Sequence, residues 1–226
     1  MLEVRHRLIH EITKVEMVGA LKELKENMET YMQCLDEGAL DLLFYGARTA
    51  RNWQKKEVAE EVLYKLHSLF VMGPTSNNAQ PTRVLYIKSK EAKARLLPCL
   101  SKGNLEKSMA APVTAIIGYD LKFYAKLEEL SGLPGSAARF VKNPSAVEPF
   151  AFLNCSLQGG YFIIAARAIG LDVGPMSGFD NMAVDNEFFA GTSIKSNFLC
   201  NIGFGDFSKI QARPRRVSFE EISEII

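Results

Sequence analysis

The chain has 226 residues, 47% of them hydrophobic, and a formal net charge of +1 at pH 7. This length and apolar content predict a folded chain with one sizeable core or two small ones, and the near-zero charge gives no bias towards nucleic acid or an anionic membrane. The sequence shows no apolar run of membrane-helix length, no secretory signal and no metal-ligand spacing among its four cysteines, so it predicts a cytoplasmic protein with free thiols, no structural metal and no membrane or nucleic-acid partner.

Residues 1–37 are predicted to form a helical N-terminal extension, separate from a domain over residues 38–226. Apolar residues recur every three or four positions from Val4 to Leu35, which predicts a helix over residues 1–36. Such a face is typical of packing or coiled-coil docking. His6 and His10 lie four apart but lack a third ligand, so they do not predict a metal site.

Two short helical patterns follow, with a basic segment between them. Leu40–Tyr45 predicts a turn of helix, and an apolar stripe over Val58–Val71 predicts a longer one. Between them, Arg48 and Arg51 lie three apart and have the hydroxyl of Thr49 beside them. Guanidinium groups at this spacing could grip a phosphate. Taken alone, a solvated basic turn is the simpler interpretation.

The stretch from Met72 to Arg83 separates this helix from the next strand. Pro74 and Pro81 bracket six small or amide residues, a composition that excludes regular structure. The residues alone allow two interpretations. The loop either closes on itself through Asx-type turns or binds a polar ligand.

The middle of the chain alternates strands and helices. Arg83–Lys88 predicts a strand, and Ser89 can cap a helix that runs to about Leu97. Val113–Tyr119 predicts a strand that is buried on both faces. Asn104 and Lys107 lie three apart, on one side of a helix's first turn. Residues 120–147 contain several Gly and Pro residues and are predicted to form a flexible cover or loop insertion.

The last third begins with a long helix over Pro149–Ile169, which is apolar all round and predicts a core element or a subunit interface. Gly170 suits the C′ position at its end. Residues 173–180 are small, with exposed backbone, and Phe198–Phe204 predicts the last strand. A basic tail over residues 213–216 then leads into a short helix.

Hydrolase chemistry is not supported by the sequence. It contains no G-x-S-x-G elbow, and His67 lies within a helical pattern next to Leu66. Gly203 and Gly205 lack the third glycine of a dinucleotide-binding fingerprint. A chain with polar loops and no acid, base or nucleophile set is a candidate for cofactor chemistry.

Several segments, in order along the chain, together resemble the FMN-dependent nitroreductase family. They are Arg48-Thr49-x-Arg51, Pro74-Thr75-Ser76-x-Asn78-x-Gln80-Pro81, Asn104-x-x-Lys107, the run from Gly174 to Asp180, and Pro214-Arg215-Arg216. Gly73-Pro-Thr-Ser, Gly178-Phe-Asp and Leu199–Asp206 are most similar to its malonic-semialdehyde reductase branch, which acts in pyrimidine utilisation. The resemblance covers residues 38–226. The first 37 residues have no counterpart in that branch, and Ser177 stands where many members have Glu.

The resemblance implies an α+β fold with a central mixed β-sheet surrounded by helices, in a homodimer that binds FMN at its subunit interface. Some FMN contacts would come from the partner subunit, Asn78 among them. The cofactor-binding residues that it implies are Arg48, Thr49, Arg51, Pro74, Ser76, Asn78, Asn104, Lys107, Pro175, Met176, Ser177, Gly178, Arg213 and Arg216. The role of Gly178 would be to let the backbone approach the flavin ring.

The implied activity is FMN-dependent NAD(P)H oxidation by ping-pong hydride transfer through flavin N5, with no catalytic side chain of the protein's own. Reduction of malonic semialdehyde to 3-hydroxypropionate is the most specific expectation. The alternatives are a nitro- or quinone-reducing enzyme of broad specificity, and a flavin-binding protein with little turnover. The sequence does not distinguish NADH from NADPH as the co-substrate.

Overall fold

The computed structural model describes residues 34–208 and 210–226, and the chain divides into two compact units, residues 1–46 and 47–226. In the first unit, Asp36 Oδ1 accepts a hydrogen bond of 2.7 Å from the N–H of Ala39 and caps the helix Glu37–Leu40, which a π-helical turn, Asp41–Tyr45, continues. The helix predicted over residues 1–36 lies almost wholly outside the described residues. The division at residue 37 stays a prediction.

The described helices and strands are, in chain order, α1 (Glu37–Leu40), α2 (Glu60–Phe70), β1 (Thr82–Ile87), α3 (Lys90–Leu96), α4 (Leu105–Ala110), β2 (Val113–Asp120), α5 (Leu127–Ser131), α6 (Ala138–Lys142), α7 (Val147–Ala168), β3 (Asp172–Met176), α8 (Asn181–Phe188), β4 (Ile194–Gly203) and α9 (Phe219–Ile222). Short 3₁₀ turns connect several of them. Ser89 caps α3 as predicted, since its Oγ accepts from the N–H of Ala92 at 3.1 Å. Within residues 34–208 and 210–226, no helix is both long and apolar enough to cross a membrane.

The four described strands form one sheet in the order β1-β2-β4-β3, and every neighbouring pair is antiparallel. The expectation of a mixed sheet is therefore wrong for these strands. The parallel contact that the structure shows is an isolated bridge between Thr49 and Val173, outside the strand pairs. β2 is central and buried along nearly its whole length, as its continuous apolar sequence predicted.

Helices cover both faces of the sheet. Ile117 of β2 faces α2 and α7, in a cluster that also contains Phe162. Ile116, one residue earlier, faces the opposite way, into a cluster with Leu96 of α3 and Val184 of α8. Because strand side chains alternate between the two faces, one apolar strand supplies both halves of the core.

Residues 120–147 are not the flexible cover or loop insertion that was predicted, since short helices form in much of the segment. Phe123, Leu127 and Phe140 are almost fully buried. The ring of Phe123 lies 4.8 Å from that of Phe140 and 5.1 Å from that of Phe150, at the start of α7. The glycines and prolines shorten the helices here, but the aromatic side chains between them still anchor the segment to the core.

Three further elements differ from expectation. Asp172–Met176 is a strand, α8 was not predicted at all, and β4 begins at Ile194, four residues before the predicted start. The end of α7 agrees with the prediction, because Gly170 takes a left-handed conformation with φ of 80° just after it.

Candidate functional site

The segment with the two spaced arginines lies alongside β3. Thr49 bridges Val173, and the N–H of Ala50 donates to the carbonyl of Val173 at 2.9 Å. A glycine makes this approach possible, because a Cβ on Gly174 would lie only 2.6 Å from the carbonyl oxygen of Ala50. Gly174 therefore lets the segment that carries the two arginines lie directly against β3.

The C-terminal tail is tied to the same segment by two hydrogen bonds. Arg48 Nη2 donates to the carbonyl of Gln211 at 2.6 Å, and Arg213 Nη2 donates to the carbonyl of Ala47 at 2.6 Å. Arg48 is half-buried. Because a carbonyl oxygen carries only a partial charge, this contact holds the Arg48 guanidinium in place without neutralising it.

Lys107 of α4 brings a third cation to this edge of the sheet. The indole Nε1 of Trp53 donates to the carbonyl of Lys107 at 3.0 Å, which ties α4 to the segment that follows Arg51. Burial lowers the pKa of Lys107 below its ordinary value, and the positive charge of Arg51 lowers it further. Lys107 and Arg51 are thus close enough to repel each other.

We call Arg48, Arg51 and Lys107 the cation cluster. Within residues 34–208 and 210–226 none of the three forms a salt bridge with a carboxylate, whereas Arg83 and Arg95 each do. Arg51 and Lys107 are like charges held near one another without a carboxylate, which is unfavourable, and a bound anion removes that cost. The cluster therefore has the character of an anion site, and guanidinium groups favour phosphate in particular.

The backbone that follows β3 is held against the start of α4. Asn104 Nδ2 donates to the carbonyl of Gly178 at 2.7 Å, and the N–H of Ser101 donates to the same oxygen at 3.0 Å. A Cβ on Gly178 would lie 2.7 Å from Asn104 Nδ2. Packing against Asn104 therefore requires a glycine at position 178, whether or not a flavin ring also approaches there as expected.

A chain of buried polar side chains fixes α4 to the end of β3. Thr114 Oγ1 donates to Asn201 Oδ1 at 2.7 Å, Asn201 Nδ2 donates to Ser108 Oγ at 3.3 Å, and Ser108 Oγ contacts Met176 Sδ at 3.6 Å. Ser108 follows Lys107, so these contacts position the lysine. The sequence analysis missed them. The sequence signal that could have revealed them is a polar residue within each of two apolar strands, Thr114 in β2 and Asn201 in β4.

The loop from residue 74 to residue 81 closes on itself through its side chains. Asn77, Asn78 and Gln80 take left-handed conformations with φ of 55°, 52° and 42°. Gln80 Nε2 donates to Asn78 Oδ1 at 2.8 Å, and Thr75 Oγ1 accepts from the N–H of Gln80 at 3.2 Å. Asn tolerates this backbone region better than most residues. Part of the amide-rich composition is therefore structural.

This loop and the cation cluster lie at opposite edges of the sheet. The N–H of Ser76 donates to Asn154 Oδ1 of α7 at 2.7 Å, and Asn78 Nδ2 donates to the carbonyl of Leu130 at 2.8 Å. The loop leads directly into β1, and the cluster flanks β3, the other edge strand. Three strand spacings separate the two edges by roughly 14 Å.

Comparison with known proteins decides the family. A model described as the nitroreductase family matches residues 45–205. A provisionally assigned NADH dehydrogenase/NAD(P)H nitroreductase of Burkholderia lata is 51% identical over 194 residues, which are 86% of this chain and 100% of that protein. The chain belongs to the nitroreductase family.

Solved structures of low identity show the same fold as this nitroreductase. A provisionally assigned nitroreductase of Bacillus subtilis superposes with a TM-score of 0.75 at 20% identity, over 84% of this chain and 100% of that one. One from Exiguobacterium sibiricum, solved in complex with FMN, superposes with a TM-score of 0.73 at 20% identity, over 86% and 99% of the two chains.

The nitroreductase brings most of the predicted site residues to the β3 edge. This set consists of Arg48, Thr49, Arg51, Asn104, Lys107, Pro175, Met176, Ser177, Gly178 and Arg213. Pro74, Ser76 and Asn78 lie at the β1 edge. Arg216 donates to the carbonyl of Pro214 at 3.1 Å, within the tail, whereas Arg213 donates to Ala47 in the Arg48 segment. The cofactor roles of all these residues stay predictions.

Proposed function

We propose that this nitroreductase is an FMN-dependent NAD(P)H oxidoreductase. The observation that carries the proposal is the cation cluster of Arg48, Arg51 and Lys107, whose members have no carboxylate partner among the described residues. It lies beside the glycine-containing backbone that follows β3. The FMN complex of the Exiguobacterium relative and the name of the Burkholderia relative support the same cofactor and co-substrate.

The residues at the β3 edge fit FMN by their chemistry. Arg48 and Arg51, with Arg213 from the tail, would hold the phosphate, since a guanidinium group matches phosphate oxygens. Lys107 would place positive charge near the ring portion, where negative charge develops on reduction. Bound FMN would supply the hydride chemistry, by accepting hydride from NAD(P)H and passing it to a second substrate. The protein's part is to position the reactants and to set the local charge.

We propose further that each site is shared between two subunits of a homodimer. The loop with Ser76 and Asn78 lies at the edge of the sheet opposite to the cation cluster. We therefore expect the FMN held at one chain's cation cluster to contact Ser76 and Asn78 of the second chain. α7 supports a partner, because Phe152, Leu153, Leu157 and Tyr161 remain exposed along it. Gly159 does not belong to that face, since a Cβ there would meet the ring of Phe198 at 2.5 Å.

Subunit mixing tests this sharing. A heterodimer of Asn78→Ala and Lys107→Ala chains would contain one intact site and one doubly damaged site. Activity recovered on mixing the two inactive variants would support the arrangement. A monomer that sediments with stoichiometric FMN would contradict it.

The finer proposal for the acceptor is malonic semialdehyde, which would be reduced to 3-hydroxypropionate. It is supported by the similarity of Gly73–Ser76, Gly178–Asp180 and Leu199–Asp206 to that branch of the family. The deciding experiment is to record the visible spectrum of the purified protein and then to measure NADH and NADPH oxidation with malonic semialdehyde, a nitroarene and a quinone. Preference for the nitroarene or the quinone would replace the aldehyde proposal. A colourless protein that neither binds added FMN nor oxidises NAD(P)H would contradict the proposed function as a whole.

A further inference from the structure

A cavity of about 430 Å³ lies between α2, β1 and α7. Its lining includes Phe70, Thr82, Tyr86 and Gln158, and none of its residues belongs to the proposed cofactor set. It is at the β1 edge of the sheet, whereas the cation cluster flanks β3. The cavity is therefore separate from the part of the proposed FMN site that this chain supplies at β3.

The buried polar atoms of this cavity indicate a polar occupant. Across the described residues, the buried side-chain oxygens and nitrogens without a hydrogen-bond partner are Thr82 Oγ1, Tyr86 Oη and Gln158 Oε1, and all three residues line this one cavity. Gln158 is only 1% exposed. The Thr82 hydroxyl has a weak polar neighbour in the thiol of Cys155. Unsatisfied buried groups are rare in native proteins, so Tyr86 Oη and Gln158 Oε1 in one cavity call for a common cause.

Three aromatic residues, His67, Phe70 and Tyr86, also belong to the lining. The ring of Tyr86 stacks on that of Phe162, with centroids 6.4 Å apart and 26° between the planes. Phe70 meets Phe162 edge-on at 5.5 Å, and His67 meets Phe70 edge-on at 5.2 Å. Aromatic walls with a few convergent polar groups are typical of small-molecule sites and favour a flat ligand.

The polar groups also define the charge of that ligand. Arg83, the cation in the lining, is already engaged by Asp120 at 2.8 Å. Burial raises the pKa of Tyr86, so its hydroxyl stays protonated at neutral pH. Gln158 offers a carbonyl oxygen, which accepts a hydrogen bond and repels an anion. A neutral O–H or N–H group satisfies this set, because its hydrogen pairs with Gln158 Oε1 while its oxygen or nitrogen accepts from the Tyr86 hydroxyl.

We propose that this cavity binds a small, uncharged aromatic molecule that carries an O–H or N–H donor. The ring packs against Phe70 and Tyr86, and its donor meets Gln158 Oε1. The proposal does not rest on the proposed function, since the cavity shares no residue with the cofactor set, although Gln80 of its lining donates to Asn78 of that set at 2.8 Å.

The test uses 4-fluorophenol as the probe and 4-fluorotoluene as its donor-free counterpart. Binding of each to the full chain, purified with its cofactor, is measured by ¹⁹F NMR titration. We expect saturable binding of 4-fluorophenol and at least tenfold weaker binding of 4-fluorotoluene, a difference of about 1.4 kcal/mol. Equal affinities for the two probes would overturn the proposal, as would no saturable binding of 4-fluorophenol, which would indicate that the cavity holds water only.

Two variants locate the binding. Gln158→Met keeps the length of the side chain and removes the acceptor, and Tyr86→Phe removes only a hydroxyl. Each should weaken 4-fluorophenol binding about tenfold, or about 1.4 kcal/mol, and change 4-fluorotoluene binding little. Tyr64→Phe, which alters a 73% exposed tyrosine of α2, is the matched control and should have no effect.

Flavin content and NAD(P)H oxidation should be the same in both cavity variants and in the parent protein, which separates this cavity from the cofactor site. Tyr86→Phe should also melt at the same temperature as the parent or higher, since the hydroxyl it removes has no partner. If Gln158→Met does not fold, Tyr86→Phe still decides the question. Unchanged 4-fluorophenol binding in the folded variants would place the probe elsewhere and overturn the proposal.

Discussion

Replacing Arg48 by alanine tests the phosphate assignment most directly. Arg48 is half-buried, and its described hydrogen bond goes to the carbonyl oxygen of Gln211 at 2.6 Å, so its charge remains available to an anion. A hydrogen bond to a charged group contributes about 1.5–3 kcal/mol. We therefore expect Arg48→Ala to weaken FMN binding by about 2 kcal/mol, which is about 30-fold in the dissociation constant.

Part of the expected loss of FMN affinity in Arg48→Ala is indirect, because Arg48 also holds the C-terminal tail. The Arg48–Gln211 hydrogen bond helps to hold the tail that carries Arg213, and Arg213 donates back to the carbonyl of Ala47. Removing Arg48 should thus also loosen Arg213. Because the two arginines share this connection, the double variant Arg48→Ala/Arg213→Ala should lose less affinity than the sum of the single losses.

The assay is titration of cofactor-free protein with FMN, followed by quenching of flavin fluorescence at low and at high salt. Arg95→Ala is the matched control, because Arg95 is an exposed arginine that pairs with Glu187 on the α3 and α8 side of the sheet. Affinity should fall with salt in the parent protein and less steeply in Arg48→Ala. If Arg48→Ala binds FMN within a factor of about two of the control, a loss below about 0.5 kcal/mol, the phosphate assignment is wrong.

Three further predictions concern the site and its support. Because burial and Arg51 lower the pKa of Lys107, the lysine loses its charge at a lower pH than a free lysine does. FMN affinity should therefore decline at alkaline pH before the ordinary lysine range, and Lys107→Met should flatten this dependence; a profile that Lys107→Met leaves unchanged would contradict it. Asn201→Leu removes the partner of the Thr114 hydroxyl and should lower the free energy of unfolding by about 1–3 kcal/mol in urea titrations; no change would show that the buried polar chain adds nothing to stability. Phe140→Ala should lower the free energy of unfolding by about 3–5 kcal/mol, since the ring is 1% exposed. A loss below about 1 kcal/mol would show that residues 120–147 pack only loosely on the core.

The sequence by itself determined the elements whose signal is local. The stripe from Val58 to Phe70 gave α2, because helix periodicity needs only the spacing of apolar residues. The unbroken apolar run of β2 predicted burial on both faces, and Ser89 and Gly170 marked helix ends through capping preferences that act within a few residues. The ordered motifs also gave the family, because they depend on residue types along the chain and not on packing.

Tertiary structure decided the elements that form only through long-range contacts. Gly174 and Pro175 have low strand propensity, yet they lie in β3 because β4 pairs with it on one side and Ala50 approaches on the other. The glycines and prolines of residues 120–147 predict irregular structure, and only the packing of Phe123 and Phe140 makes the segment part of the core.

The sequence also could not show that the predicted site residues fall into two groups at opposite edges of the sheet. Arg48 and Asn78 are separated by only 30 positions along the chain, yet the strand order places their segments at opposite edges of the sheet. In the same way, the unpartnered oxygens of Tyr86 and Gln158 meet in one cavity only because α7 packs across β1. Local patterns specify elements such as α2 and β2, whereas the pairing and packing of distant segments form β3 and decide which side chains share a site.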